Sequence, residues 1–93
     1  MREKPSLKAK KNIQVVYGFA IPSQDFADAL CAEERVVPAL LHEYKPLCVN
    51  RPFGKEILCY ETEQQCLDAY DAFHKQIPSA TYIGRGEVYD WYD

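Results

Sequence analysis

Four thiols and two imidazoles are the groups best suited to nucleophilic or metal chemistry in this chain: Cys31, Cys48, Cys59 and Cys66, with His42 and His74. A nucleophilic thiol needs a base beside it that a third group orients. No cysteine here stands in a glycine-flanked context, and the histidines sit in the plain dipeptides Leu41-His42 and Phe73-His74. Both read as boundary positions of apolar elements. Structural zinc sites draw their ligands in close pairs, because one turn aims two thiolates at one metal. The cysteines are 17, 11 and 7 positions apart with no Cys-x-x-Cys, so no metal or cofactor is expected. Each has apolar neighbours, as in Leu47-Cys48-Val49, Leu58-Cys59-Tyr60 and Cys66-Leu67. All four are expected to be buried, reduced thiols that act as small hydrophobes.

Anion chemistry has equally little to stand on. The chain has four glycines, and Gly84-Arg85-Gly86 is their one cluster. Its amides and the Arg85 guanidinium could hold an anion, and the same triplet makes an ordinary turn or bulge.

The C-terminus is richer. Tyr89, Asp90, Trp91, Tyr92 and Asp93 place three amphipathic rings and two carboxylates in succession. Tyr and Trp anchor interfaces because they bury much area at little cost in entropy. Such a segment could enter a partner's groove or extend a sheet edge. Equally, it could be a last strand whose rings complete the core. Arg51, Phe53 and Lys55, in a stretch of turn-forming residues, make a second candidate patch.

Charge divides the chain. Residues 1–11 carry +4 through Arg2, Lys4, Lys8, Lys10 and Lys11 against Glu3, and residues 12–93 carry −7. The expected organisation is a basic arm over 1–11 and one domain over 12–93, since a chain of 93 residues cannot be divided and still bury a core. The arm is either a solubilising tail or a phosphate grip through Lys8, Lys10 and Lys11. Polar interruptions at Gln14, Tyr17 and Gly18 spoil any match to a secretory leader. No stretch approaches the roughly 20 apolar residues of a membrane span, so a cytoplasmic protein without a membrane partner is expected.

These groups need elements to position them. Residues 12–20 alternate as a strand with Ile13, Val15, Tyr17 and Phe19 on one face. The opposite face, Gln14, Val16, Gly18 and Ala20, is small and partly apolar, so the strand is expected to be central or covered on both sides. Pro22 ends it, Ser23 is positioned to cap a helix over 24–34, and Phe26, Ala29, Leu30 and Cys31 form that helix's stripe. Pro38 opens a short second helix to Tyr44, and Pro46 stops it. Strands over 47–49 and 56–60 flank the turn, forming a hairpin. Thr62 and Gln65 have the spacing of a capping box, behind which Cys66, Ala69, Tyr70, Phe73 and Ile77 share one helical face. Residues 80–93 alternate again. The fold class is α+β: a small mixed or antiparallel sheet of about four strands, helices on one face, in the order β-α-α-β-β-α-β. That order is broadly similar to the ferredoxin-like split βαβ arrangement.

The functional expectation is a non-enzymatic protein-binding module using acidic and aromatic surface. A small inhibitor of a larger protein or nucleoprotein machine, of the phage or mobile-element type, is one form of it, since an acidic face can imitate phosphates. The first alternative is a nucleic-acid binder using the arm with Arg51, Lys55, Arg85 and stacking aromatics, against which the body charge of −7 argues. The second is a small thiol-dependent enzyme, which requires a depressed cysteine pKa. A homodimer could also bury the exposed rings.

Overall fold

The structure is a computed structural model that describes residues 11–91, with side-chain surroundings for 14–87. Seven elements follow in the expected order. They are β1 (Lys11–Pro22), α1 (Ser23–Leu30), α2 (Val36–Glu43), β2 (Cys48–Asn50), β3 (Lys55–Tyr60), α3 (Glu63–Gln76) and β4 (Thr81–Trp91). The four strands form one sheet in the order β2-β3-β1-β4, with every neighbouring pair antiparallel. Strand β1 is an inner strand between β3 and β4, one of the two outcomes its pattern allowed. Each pair of strands joined through helices, β1 with β2 and β3 with β4, has one other strand between its members.

The core lies between one sheet face and the helices. Phe19 and Ile21 of β1 and Leu58 and Tyr60 of β3 meet Phe26, Val37, Cys66, Ala69 and Phe73 from the three helices. The Phe19 ring sits at the centre, stacked on Tyr60 at 5.9 Å and against Phe73 at 5.5 Å. Burial of each such side chain stabilises by roughly 1.5–3 kcal/mol. Helix α3 begins as its sequence dictates: the Gln65 amide donates to Thr62 Oγ1, and the Thr62 amide donates to Gln65 Oε1, both at 3.2 Å.

Four local expectations are corrected. Pro22, not Ser23, occupies the N-cap of α1, and Ser23 makes no cap bond because its hydroxyl is engaged elsewhere. Helix α1 stops at Leu30 instead of running to residue 34, and the chain turns through a left-handed Arg35 at φ 58°. That turn leaves Cys31 exposed, outside the stripe. Helix α2 starts at Val36, so Pro38 lies within its first turn and Val37 is the residue it buries. The tail is one strand interrupted by a bulge: Gly18 pairs with Gly84 and Phe19 with Tyr82, which leaves Ile83 unpaired. Gly84, at φ 99°, supplies the backbone turn that the bulge needs.

Strand β3 pairs with β1 only over 17–22. Residues 11–16 of β1 pair with 86–91 of β4 alone among the described residues. A two-stranded ribbon therefore continues past the four-stranded body. No helix among the described residues is long and apolar enough to cross a membrane.

Candidate partner-binding site

The turn between β2 and β3 is short and fully determined. The Lys55 amide donates to the Pro52 carbonyl at 3.0 Å, closing a β-turn with Phe53 and Gly54 at its centre. Gly54 has φ 81°, the value a type II turn demands at its third position and one that side chains resist. Phe53 precedes it and is fully exposed, at 105%.

Several contacts tie this turn to the body. The Ser23 amide, at the start of α1, donates to the Gly54 carbonyl at 3.1 Å. The half-buried Glu56 carboxylate takes two more donors, Ser23 Oγ at 3.2 Å on one oxygen and Arg51 Nε at 2.8 Å on the other. Glu56 is 13% exposed while Arg51 is 68% exposed, so the guanidinium is pinned through one nitrogen and otherwise faces water. The result is an exposed aromatic ring two residues from an exposed cation, on a turn hydrogen-bonded at both flanks. Exposing a Phe ring to water is unfavourable. Holding it on an ordered turn lowers the entropy that a docking partner must overcome.

The other candidate residues lie elsewhere. Arg85 is opposite Tyr17 on β4 and pairs with Glu87 at 3.6 Å, both side chains well exposed. In the backbone ladder Tyr89, Asp90 and Trp91 oppose Ile13, Asn12 and Lys11, at the far end of β1 from the turn. With Lys55 opposite Pro22, the two ends of the 12-residue strand are roughly 36 Å apart at about 3.3 Å per residue. Arg51 and Phe53 thus share one site, and Arg85 and the terminal strand do not join it. Tyr92, Asp93, Lys8 and Lys10 lie outside the described residues, as do the side chains of Lys11, Tyr89, Asp90 and Trp91.

Glu56 is the residue that sequence reasoning missed. Its role depends on Ser23, 33 positions away, and the one available signal was a carboxylate following a turn that also holds an arginine.

The thiols behave differently from one another. Cys59 and Cys66 are buried, Cys48 is half-buried and Cys31 is exposed. Burial pushes the Cys66 thiol up to about 11 and the Cys59 thiol up to about 12, with Cys48 beside Cys59 adding to the second. These two are poorer nucleophiles for it. The Tyr60 hydroxyl is also raised by burial and donates to the Tyr44 carbonyl at 2.6 Å. His74 packs edge-on against Tyr70 at 5.2 Å, a boundary position as expected. Two open grooves mark the helix side, one along Asp25, Asp28 and Ser79, the other along Glu43, Tyr60 and Asp68, and neither is lined by a cysteine or histidine. No protein-family model matches the chain, and no curated protein or solved structure is significantly similar to it.

Proposed function

We propose that this protein is a non-catalytic protein-binding module that docks through the β2–β3 turn, with Phe53 as the anchor and Arg51 as the flanking cation. The observation that carries the reading is the full exposure of Phe53 on a turn clasped by Ser23 and Glu56. A large ring held in water at an interface centre is the kind of residue whose truncation costs a complex about 2 kcal/mol or more. The Arg51 guanidinium keeps free donors for a carboxylate or a backbone carbonyl of the partner. Acting as a blocker of a larger machine is compatible with this size and with an acidic body, and it needs nothing beyond occupancy of the partner's pocket.

The test is affinity capture from the native host's lysate, with and without nuclease, using the wild type and Phe53→Ala side by side. A stoichiometric protein retained after nuclease by the wild type, and lost by Phe53→Ala with an unchanged melting temperature, supports the reading. Capture that is indifferent to Phe53, or that disappears with nuclease, rejects it in favour of another surface or of nucleic acid.

A further inference from the structure

Antiparallel pairing brings two of the four cysteines face to face. Cys48 of the edge strand β2 is the register partner of Cys59 of β3. Directly opposed residues of an antiparallel pair point to the same face with Cα atoms about 4.5–5.5 Å apart. A disulfide spans Cα separations of about 4.4–6.8 Å, so either kind of pair is within its reach. Both thiols are free, and Cys48 is near enough to Cys59 to help push the Cys59 thiol up. They sit on the sheet face away from the helices, where Gly18 leaves room beside them: a Cβ there would lie 3.6 Å from the Cys59 sulfur.

We propose that Cys48 and Cys59 are a reversible disulfide site, oxidised by small-molecule disulfides of the glutathione class, which cross-links β2 to β3. The two cysteines are unlike in the way such exchange requires. Half-buried Cys48 is the one a bulky disulfide can reach, and Cys59, 3% exposed, is the resolving thiol behind it. In the first step the Cys48 thiolate attacks one sulfur of glutathione disulfide, and one glutathione leaves as its thiolate. The Cys59 thiol then gives up its proton and attacks the Cys48 sulfur. The Cys48–Cys59 bond forms, the Cys48–glutathione bond breaks, and the second glutathione leaves and takes up the proton. Two protein thiols have lost two electrons and two protons, and glutathione disulfide has become two glutathione molecules. Asn50 Nδ2 donates to the Cys59 sulfur at 3.7 Å, which favours its thiolate as it forms. Burial holds the Cys59 proton, and the second step runs through whatever fraction is thiolate, so linkage should quicken as pH rises.

The cross-link lies on the hairpin that carries the Phe53 turn, yet it needs no partner and stands whether or not that turn docks. The experiment incubates the folded chain in glutathione buffers of increasing oxidised fraction, quenches with N-ethylmaleimide, and maps peptides by mass. The expected result is a Cys48–Cys59 linked peptide that becomes dominant under oxidising conditions and returns to two alkylated thiols on reduction. Cys66 stays unlinked, and exposed Cys31 carries at most a glutathione adduct. Cys59→Ser should stop at a lasting glutathione adduct on Cys48, and Cys48→Ser should give no linkage. The proposal is overturned if both cysteines of the wild type remain alkylatable at every ratio, if the reaction halts at the Cys48 adduct, or if linkage forms only in urea. The wild-type map decides alone should either variant fail to fold.

Discussion

The two ends of β1 make opposite use of the same strand. Towards Pro22 the strand is flanked by β3 and β4 over residues 17–20 and by β3 alone at Ile21 and Pro22, and β3 itself starts from a turn fastened by the Ser23 amide and the Glu56 carboxylate. At the other end the same strand has β4 alone beside it, and the pair runs on as a ribbon. Two strands without further support are marginal in water. Both ends bear aromatic residues, and the one on the hydrogen-bonded turn, Phe53, is fully exposed. On the proposal made above, a docking site takes exposure together with a turn that is hydrogen-bonded to the body.

Several changes would break or sharpen this contrast. The largest effect is expected at the seam, where the sheet narrows. A Cβ at Gly18 would lie 3.1 Å from the Leu58 carbonyl oxygen and 3.3 Å from Ile57 Cγ2, and a backbone carbonyl cannot step aside. Gly18→Val should cost about 1–3 kcal/mol, read as an earlier urea midpoint. Alkaline melting comes next. Cys59 and Cys66 have folded-state pKa values raised to about 12 and about 11 from an ordinary value of 9.0, so the unfolded chain releases those protons first. Stability is full below about pH 9 and falls as pH rises from there through 11 to 12. Cys66→Ala should flatten that fall while it lowers stability at neutral pH.

Smaller effects compare the ends directly. Glu56→Ala removes the acceptor of both Ser23 and Arg51 and should cost about 1 kcal/mol, or roughly 4–8 °C in melting temperature for a domain of this size. It should also speed amide exchange over 51–55. The matching change at the ribbon, Arg85→Ala, removes an exposed pair and should move stability by less than about 0.5 kcal/mol. Equal losses at the two ends would abolish the contrast. Tyr82→Phe should have the opposite sign. Its hydroxyl is buried without a partner among the described residues, and removing it should stabilise by up to about 1 kcal/mol.

Much of the fold was legible because local signals agreed with it. The capping box at Thr62 and the stripe from Cys66 to Ile77 define α3 without reference to any other element. The inner place of β1 was one of two outcomes suggested by an apolar face backed by a small, partly apolar one. What escaped was decided at a distance. Ser23 reads as a cap, but a carboxylate 33 residues away takes its hydroxyl. Helix α1 looks long enough to include Cys31, and nothing in its pattern announces the left-handed Arg35. The site was half visible: Arg51 and Phe53 stood out as turn residues, while Glu56, which makes them a fixed unit, did not. The facing thiols were latent in the turn itself. A hairpin centred between Phe53 and Gly54 leaves Cys48 and Cys59 equally far from its tip, though only a known register turns that into contact.

The ladder that joins Lys11 to Trp91 also sets how the molecule would yield to force. Pulled apart from those two residues, β1 and β4 separate one rung at a time, because antiparallel hydrogen bonds lie across the strands and meet the load singly. The ribbon should peel open under low tension until the break reaches the bulge at Gly18 and Gly84. There it meets the four-stranded body, and the resistance should rise in one step. The protein is in this sense a zipper sewn to a knot, and the Phe53 turn lies on the far side of the knot from the pull.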